Sequence, residues 1–588
     1  MTLRSSWLAG CAAIAAAALL VGVTIAFHGP MTFRPLGVRV QMGDAMRPVA
    51  LAAIADLALF ALAFRRCAWR RVSCVLAVAI VAVSILAAAR RAAPAYPVSD
   101  NALIELATIN ALEGRQLHGP YSRYGWQHPG PVLFYLLAPF YAAAGSRTAG
   151  LAAGALALNL AALTAAVWVL IRHGGPALTV AFTVLFAVYF ARVPGLVVSS
   201  WNAHATIVAS AAVVVISAAV AAGRIRLLPL FLAVASFVLQ THVATFPLVA
   251  VTGALVVAAI GRRWIGASAD ERAALKAHAN RAAWVLAALW LLPLVEELSR
   301  PDGNMSAMWQ FARQQPRGGA LPQAFDAWAG ALTGVFRAGL SLPQGRLIGR
   351  SMVAWPRIVA VVELLLLAVV VVWATRRGRS VHAWMAAQSL AGSVAALWAI
   401  TRIPDGIHDH EVFWISAVGV VGAASIAAVV GGVVSERRQL VRSQGPLVAG
   451  LAAALLLIGV SLAGLRQVTV TGGRLRSQEA DDHVKRVTAA IQSEIERQGS
   501  RRPMVVIDQR VWGWAAGAIL QLRRQGTRVV IEDGLVAMFA GTLAPDGSED
   551  LEISFCGGPC HERLISRPGN IVVLLTDHIA IDVRPLHR

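Results

Sequence analysis

Charged residues are scarce, making up 14% of the 588 positions, whereas soluble globular proteins carry about 25%. Cysteine is also rare, with five residues, too few for a disulfide scaffold in a chain of this length. The C-terminal part lacks a Gly-rich phosphate loop of the G-x-x-x-x-G-K-S/T type. The composition therefore excludes a soluble enzyme, a disulfide-based secreted scaffold and a fibrous protein, and no motif indicates nucleotide binding.

Hydrophobic residues, in contrast, make up 57% of the chain, and the mean hydropathy is +0.64. A helix needs about 20 apolar residues to cross a bilayer upright. The first apolar segment has no convincing small-residue cleavage site, so we expect an uncleaved span. The chain is predicted to be an α-helical polytopic membrane protein. Its apolar segments are 7–27, 49–64, 72–89, 132–145, 149–171, 176–191, 204–222, 227–241, 243–260, 282–297, 356–375, 383–400, 411–434 and 446–465.

The net charge of +21 would suggest nucleic acid as the partner of a soluble protein. Here the basic residues form short clusters between apolar segments, as the positive-inside rule predicts for cytoplasmic turns, so no nucleic-acid partner is expected. The rule predicts a cytoplasmic N-terminus, two outer loops at 90–131 and 298–355, and an outer tail. The orienting residues are Arg65, Arg66, Arg70, Arg71, Arg224, Arg226, Arg262, Arg263, Lys276, Arg281, Arg376, Arg377, Arg379, Arg437, Arg438 and Arg442.

One apolar segment conflicts with this orientation. An odd number of crossings must connect the outer loop before 132 to the cytoplasmic turn near 262, but six apolar segments lie between them. Segment 132–145 is short and contains Pro139, so we expect it to be re-entrant or packed at the outer surface, leaving about 13 crossings. The alternative makes 132–145 a true span and fuses 227–260 into one broken crossing.

The chain divides into a transmembrane domain at 1–465 and an extracytoplasmic domain at 466–588. The second part is richer in charge and alternates helical and strand-like patterns, which is typical of a small α/β domain. Cys556 and Cys560 within it form a candidate disulfide if this part lies outside the cytoplasm. Helices are predicted at 479–498 and 512–525, and strands at 504–507, 528–531, 551–555 and 571–575.

The first outer loop carries the most informative motif. Asp100 opens an amphipathic stretch that runs from Leu103 to Leu112, and a polar, aromatic, Pro/Gly-rich stretch follows at 119–131. This arrangement resembles the first outer loop of GT-C superfamily membrane glycosyltransferases, which include protein O-mannosyltransferases, aminoarabinose transferases, oligosaccharyltransferases and actinobacterial arabinosyltransferases. The motif His-Pro-Gly-Pro at 128–131 with Tyr135 is similar to the "HPP…Y" motif of the mannosyl- and aminoarabinosyltransferase branches of this superfamily.

The resemblance implies an inverting hexosyl- or pentosyltransferase of the cell envelope. It would move a sugar from a polyprenyl-phosphate donor to a glycan, lipid or protein acceptor at the outer membrane face. Such a reaction needs a base for the acceptor hydroxyl and donors for the leaving phosphate. Asp100 is the candidate base, Arg123 and His128 are candidate phosphate ligands, and Glu105 is a candidate second acid. The structural alternatives are that Asp100 caps its helix, Glu105 is a solvated face residue, Arg123 anchors lipid headgroups and His128 begins a helix.

Two further polar groups are predicted at the outer end of the membrane domain. Trp201, Asn202 and His204 follow one span, and Gln240 and His242 interrupt the hairpin 227–260. Polar groups at membrane depth are costly unless they face a cavity or a partner, so both sets are expected to line the outer cavity, with helix–helix hydrogen bonding as the alternative. In oligosaccharyltransferases the second outer loop supplies acidic metal ligands, and this chain has none there. No cofactor is implied, and dependence on a divalent metal is in doubt.

Acceptor contacts are assigned more weakly. Glu297 and Arg300 end a span, and His408 lies in a polar turn from 402 to 411. This turn is rich enough in Asp and His to suggest a metal, but its spacing matches no known site, so an exposed turn is the preferred interpretation.

Two other classes of function fit a polytopic chain. A transporter or lipid flippase is compatible with polar groups in the membrane, although no inverted repeat is visible. A non-catalytic envelope-assembly protein would keep the architecture and use its outer tail for binding. Both remain alternatives to the transferase.

Overall fold

The computed structural model describes residues 3–33, 40–63, 67–301, 303–314, 321–336, 355–404, 406–437, 439–472, 478–539, 543–566, 572–576 and 579–586. Every predicted apolar segment overlaps a helix, and ten helical segments of the described chain are long and apolar enough to cross a membrane. The prediction of an α-helical polytopic membrane protein is therefore confirmed. The helices of this part are α1 (Leu3–His28), α2 (Met46–Leu62), α3 (Cys67–Arg91), α4 (Ser99–Leu112), α5 (Val132–Ala143), α6 (Thr148–Val169), α7 (Pro176–Arg192), α8 (Asn202–Ala221), α9 (Leu228–Thr241), α10 (Phe246–Ile265), α11 (Ala269–Ser299), α12 (Asn304–Gln314), α13 (Leu321–Leu332), α14 (Trp355–Arg376), α15 (Ser380–Ile400), α16 (Asp409–Val412), α17 (Ile415–Arg437) and α18 (Gln439–Thr471).

Helix α8 forms the centre of the membrane domain. Its side chains are small or β-branched, which allows neighbouring helices to approach closely, and nearly all of them are buried. Helices at the periphery instead expose large apolar residues such as Trp284 and Leu298 of α11. Exposed apolar patches are typical of surfaces that contact lipid or another protein, and in a polytopic membrane protein the periphery of the helices is where lipid contact is expected.

Both ends of α5 lie at the same face of the domain. At its start, the N–H of Gly130 donates to the carbonyl of Gln240, at the end of α9. At its end, Nε of Arg90 donates to the carbonyl of Ala143 over 2.7 Å, and Arg147 donates to the carbonyl of Arg90 over 3.1 Å. These contacts favour the expected re-entrant or surface-packed segment over a crossing. The total number of crossings stays a prediction.

Helix α18 ends at Thr471, six residues beyond the predicted domain boundary. The chain after α18 forms a small α/β domain. The elements of this domain are α19 (Gln478–Gln498), β3 (Pro503–Ile507), α20 (Trp512–Arg524), β4 (Val530–Ile531), β5 (Leu551–Gly557), α21 (Pro559–Ile565), β6 (Val572–Thr576) and β7 (Ile579–Pro585). Its five-stranded sheet has the order β4-β3-β5-β7-β6, with β3 parallel to β4 and β5, and β7 antiparallel to β5 and β6. The βαβ pattern was predicted, but β7 and α21 were not. In β7, Asp582 and Arg584 interrupt the apolar pattern that would mark a strand. A short hairpin, β1 (Met31–Phe33) with β2 (Val40–Met42), lies between α1 and α2.

The candidate disulfide is present in this domain. Cys556, in β5, is bonded to Cys560, in α21, with their Cα atoms 5.1 Å apart. The bond links the end of a central strand to the helix that covers it.

Helix α4 connects the two domains. Ala102, Leu103 and Leu106 on one side belong to the apolar core of the α/β domain, whereas Ile104 and Ala107 on another side pack with α5. Because α4 is buried on both sides, the α/β domain and the first outer loop form one packed unit at this face.

Candidate functional site

Asp100 lies in the first turn of α4 and does not cap it. The N-cap position is Val98, and no side chain caps the helix. Ser99 has φ of +55°, a left-handed conformation that costs a non-glycine residue about 1–2 kcal/mol. Trp201 instead lies near the carboxylate of Asp100, close enough for its indole to lower the pKa of that group. The capping alternative is therefore not supported, and two predicted site residues from distant parts of the chain are in contact.

The environment of Asp100 shifts its titration. Burial raises the pKa of this carboxyl, because the charged form loses water, while the nearby indole of Trp201 lowers it in part. The net shift is upward. A carboxylate with a raised pKa is a stronger base than an exposed one, which suits it to accept a proton.

A narrow pocket of ≈ 440 Å³, including its open mouth, lies beside Asp100. Tyr121 of the first outer loop and Asn202 of α8 line it from the membrane domain. Met538 and Phe539 line it from the α/β domain. The pocket therefore needs both domains for its walls.

Close packing of α20 holds the turn before Asp100. A Cβ atom added at Gly513 would lie 2.3 Å from Oγ of Ser99, so only glycine allows this approach. In the same region, the rings of Trp512 and Tyr121 lie 6.4 Å apart. The α/β domain thus sets the position of both Ser99 and Tyr121.

The rest of the first outer loop is tied to the end of α11. Tyr121 and Gln127 form an isolated antiparallel bridge. The backbone N–H of Gln127 donates to Oδ1 of Asn304 over 2.8 Å, and Nδ2 of Asn304 donates back to the carbonyl of Gln127 over 2.9 Å. Glu296 accepts from the N–H of Asn304 over 3.1 Å. These bonds fix the loop in front of the pocket.

Two neutral histidines pack against each other next to this loop. The rings of His128 and His242 are 4.4 Å apart. Nδ1 of His128 accepts from the N–H of Val243, and Nδ1 of His242 accepts from the N–H of Ala244. Each proton therefore lies on Nε2. Burial, with the charge of His410, lowers the pKa of His128 to about 3, so His128 is a neutral donor rather than a cation.

Trp201 lies between Asp100 and the pair formed by His128 and His242. Its ring lies 6.0 Å from that of His410 and 4.9 Å from that of His204, and His410 in turn lies 6.3 Å from His242. Nδ1 of His204 is 2.9 Å from Oγ of Ser199. The predicted Trp-Asn-x-His motif, from Trp201 to His204, thus lies between the carboxylate of Asp100 and the histidines.

Arg123 holds the turn before α16. Its Nη2 donates to the carbonyl of Gly406 over 3.0 Å and to Glu411 over 3.2 Å. Tyr124 also donates to Glu411, over 2.9 Å. All of the hydrogen bonds of Arg123 run from Nη2, so Nε and Nη1 have no partner among the described residues. Those two nitrogens remain able to bind an anion.

Gln240, near the end of α9, lies beneath the first outer loop. Its Nε2 donates to the carbonyl of Leu289 over 2.8 Å, while its buried Oε1 and the buried indole Nε1 of Trp126 have no partner in the described part of the chain. Buried polar atoms without partners are rare in folded proteins. These two atoms are candidates for contact with a bound molecule.

Glu105 does not lie in this group. It is fully buried and accepts hydrogen bonds from the hydroxyls of Tyr141 and Thr148, at 2.8 and 2.9 Å. It also forms an ion pair with Arg524 of the α/β domain. The structure therefore places Glu105 at the domain junction, away from the pocket, and does not bring it to Asp100.

The three weaker candidates lie at the rim. Glu297 accepts from the backbone N–H groups of Met305 and Ser306, at 2.7 and 3.1 Å, and so caps α12. Arg300 is exposed. His408 precedes α16, is exposed, and has its ring 5.6 Å from that of His410. Asp405, in the same turn, lies outside the described residues.

Within the described residues, no group of three or more His, Cys, Asp and Glu side chains has the geometry to hold a metal ion. The histidine rings pack in tilted or edge-to-face pairs. Beside the pocket the described residues offer the carboxylate of Asp100 and several neutral N–H donors, with Arg123 as a cation paired to Glu411.

Some site residues were not singled out from the sequence. Tyr121, Trp126 and Glu411 lie in stretches that were noted, but nothing marked them as neighbours of Asp100 or Arg123. Met538 and Phe539 belong to the other domain and have no local signal. Their role depends on contacts between segments that are distant in the chain.

No family model matches the chain, and no curated protein matches it in sequence. The solved structures that are similar in fold include two of ArnT from Cupriavidus metallidurans. The form bound to undecaprenyl phosphate has a TM-score of 0.48 and the apo form 0.45. Each is 13% identical, and each match covers 87% of this chain and 97% of the other. Similarity this low carries no argument about the chemistry of this chain.

Proposed function

We propose that this protein is a GT-C-type membrane glycosyltransferase that uses a polyprenyl-phosphate sugar donor. The observation that carries the proposal is the position of Trp201, whose ring lies beside the histidines and whose indole acts on the half-buried carboxylate of Asp100. An acceptor hydroxyl of an envelope glycan, lipid or protein would enter beside Asp100. The alternative functions of transport, lipid scrambling and non-catalytic assembly have no such specific observation in their favour.

Asp100 acts as the general base in this proposal. The acceptor oxygen forms a bond to the anomeric carbon of the sugar, and its proton passes to Asp100. The bond between that carbon and the phosphate oxygen breaks at the same time. Burial raises the pKa of Asp100, and a positioned base of this kind contributes about 10²- to 10⁴-fold to the rate.

The leaving phosphate requires hydrogen-bond donors, and these donors do not need to carry a charge. Nε2–H of His128, Nε2–H of His242 and the indole N–H of Trp126 are such donors, and fixed donors in a site shielded from water stabilise developing charge. Arg123 adds a cation at the rim with Nε and Nη1 available. A planar guanidinium suits phosphate because of its paired donors.

The proposed reaction inverts the anomeric centre. Retention requires a second carboxylate as nucleophile, and Asp100 is the only Asp or Glu among the described residues that line the pocket. A single displacement is consistent with one base on one side of the sugar.

The site is proposed to face the exterior. Helix α8 runs from Trp201 at the site to the turn with Arg224 and Arg226 at its other end, and the positive-inside rule places such a basic turn in the cytoplasm. The disulfide between Cys556 and Cys560 fits an oxidising compartment. The N-terminus would then be cytoplasmic and the α/β domain extracytoplasmic.

The test is sugar transfer by purified full-length protein from a radiolabelled polyprenyl-phosphate sugar to an envelope extract. Asp100→Asn keeps the size of the side chain and removes the base, so transfer should fall by about 10²-fold or more. Asp546→Asn changes an exposed carboxyl of the α/β domain and should leave transfer unchanged.

Undiminished transfer by Asp100→Asn would refute Asp100 as the base. No transfer by the unmodified protein, together with lipid scrambling or solute uptake in liposomes, would refute the transferase and favour the transport hypothesis. Glycan binding without turnover would favour the assembly hypothesis.

A further inference from the structure

A second cavity lies at the junction of the two domains, at the end of α4 that is distant from Asp100. It holds ≈ 930 Å³ of empty space, including its open mouth. Leu112, the last residue of α4, lines this cavity, and Asp100 lies about 18 Å away along the helix axis, at 1.5 Å per residue. Among the described residues, the lining of this cavity and that of the pocket beside Asp100 have no member in common.

The cavity lies where two candidate membrane spans end. One span ends at Arg91, and the next begins at Thr148. Pro94 and Ala95 line the cavity just after the first span. Arg147 and Thr148 line it at the start of the second. Lipid headgroups surround the hydrocarbon core of a bilayer at the ends of its spans, so the cavity lies at headgroup level.

The lining carries an excess of positive charge on the side of the α/β domain. Glu113 is the only acidic lining residue in the described part of the chain, and it pairs with both Arg115 and Arg523. Arg524, also in the lining, is paired with the buried Glu105. Two arginines therefore share the single carboxylate of Glu113, which leaves one positive charge uncompensated.

Arg147 adds a positive charge on the side of the membrane domain. Its Nη1 donates to the carbonyl of Arg90 over 3.1 Å, and its Nε and Nη2 have no partner among the described residues. Arg523 donates to Glu113 through Nη2 over 2.8 Å, and its Nε and Nη1 likewise have no partner in the part of the chain that the structure describes. Each guanidinium thus keeps N–H groups for an anion, and phosphate is the anion that arginine binds most readily.

The other walls suit the remainder of a lipid headgroup. Ile109 and Leu112, three residues apart on α4, form an apolar wall. Leu112 is 45% exposed, so it offers apolar surface that a lipid can cover. Helix α6 begins at the cavity with Thr148, and no side chain caps it. An uncapped helix N-terminus beside Arg147 adds to the preference for an anion.

We propose that this cavity binds one anionic phospholipid from the leaflet on the side of the candidate site. Its phosphate lies between Arg147 and Arg523, and its glycerol backbone lies against Leu112. The excess positive charge favours an anionic lipid over a zwitterionic one, whose own cationic group is repelled. Arg147 belongs to the membrane domain and Arg523 to the α/β domain, so the lipid links the two domains. The inference does not depend on the proposed sugar transfer.

The test is native mass spectrometry of the full-length protein in detergent, with phosphatidylglycerol, phosphatidylcholine and inorganic phosphate as probes. The unmodified protein should retain one phosphatidylglycerol through collisional activation and lose the other two probes. The double variant Arg147→Gln with Arg523→Gln should bind phosphatidylglycerol about tenfold more weakly or worse, equivalent to about 1.4 kcal/mol.

The control pair Arg192→Gln with Arg497→Gln removes two exposed arginines that do not line the cavity. They make the same kinds of bond as the tested pair, since Arg192 donates to a backbone carbonyl and Arg497 pairs with a glutamate. The control should retain the lipid.

A second pair of variants leaves both arginines in place. Ser146 is an exposed lining residue with φ of +54°, a conformation that Asp and Asn adopt more readily than most residues. Ser146→Asp adds a carboxylate to the lining and should weaken the binding of phosphatidylglycerol. Ser146→Asn is of equal size and uncharged, and it should retain the lipid. This pair decides the case if the double variant fails to fold.

Three results would overturn the proposal. The first is equal retention of phosphatidylglycerol by Ser146→Asp and Ser146→Asn. The second is equal binding of phosphatidylglycerol and phosphatidylcholine by the unmodified protein. The third is retention of inorganic phosphate in place of the lipid, which would make the cavity a site for a free anion.

Discussion

The indole of Trp201, at the start of α8, lies near the carboxylate of Asp100, at the start of α4, and lowers the pKa of that carboxyl. The same indole ring packs against His410. One side chain therefore touches the candidate base and the histidine group. This geometry makes the titration of Asp100 depend on a residue from another loop.

Trp201→Phe should move the acid limb of the pH–rate profile to higher pH. The indole of Trp201 lowers the pKa of Asp100 against the effect of burial, so its loss raises that pKa further, and a base acts only above its pKa. The measurement is sugar transfer between pH 4 and 9, a range that begins near the ordinary Asp pKa of about 3.9. Trp168→Phe, at an exposed position, is the matched control. An acid limb that stays in place or moves to lower pH would contradict the role of Trp201.

The ion pair between Glu105 and Arg524 should be essential for docking of the α/β domain. Glu105 is fully buried and Arg524 is one-fifth exposed, so removing one partner leaves a buried charge unpaired, at a cost of about 3–5 kcal/mol. Glu105→Met and Arg524→Met should each increase hydrogen exchange in α4 and α20. The double variant should be less affected than either single one, because no charge remains unpaired. Additive destabilisation in the double variant would show that the two residues act separately.

Gly513→Ala should reduce sugar transfer with little change in the binding of the membrane domain to lipid. The new Cβ would lie 2.3 Å from Oγ of Ser99 and displace the turn that carries Asp100, and displacements near 1 Å can cost about 10²-fold in rate. Gly534→Ala is the control, because a Cβ there meets nothing within 4 Å. Steady-state transfer rates of the two variants are compared, and equal rates would mean that α20 does not position Asp100.

Labelling of single introduced cysteines should establish which face is outside. Ala544→Cys lies at an exposed position of the α/β domain, and Ala269→Cys lies at an exposed position at the start of α11. A membrane-impermeant maleimide added to intact cells should label the first and spare the second, since the arginine-rich turns are expected inside. The reverse pattern would place Asp100 in the cytoplasm and remove the basis for transfer at the outer face.

The sequence by itself determined the α-helical polytopic membrane architecture, because the length and apolarity of each segment are local properties. The two-domain plan, the orientation and the position of segment 132–145 stay predictions from the order of segments and the distribution of arginine. The alternation of helices and strands in the tail was also visible in the sequence, apart from β7 and α21.

Only the tertiary structure decided which polar residues share a site. Asp100 and Glu105 are five residues apart, so their side chains point about 140° apart around α4. One meets Trp201, and the other meets Arg524. The stacking of His128 on His242 likewise joins a loop to a helix end from a distant part of the chain. Such contacts depend on how helices pack, and that packing results from the burial of many side chains at once rather than from any short motif.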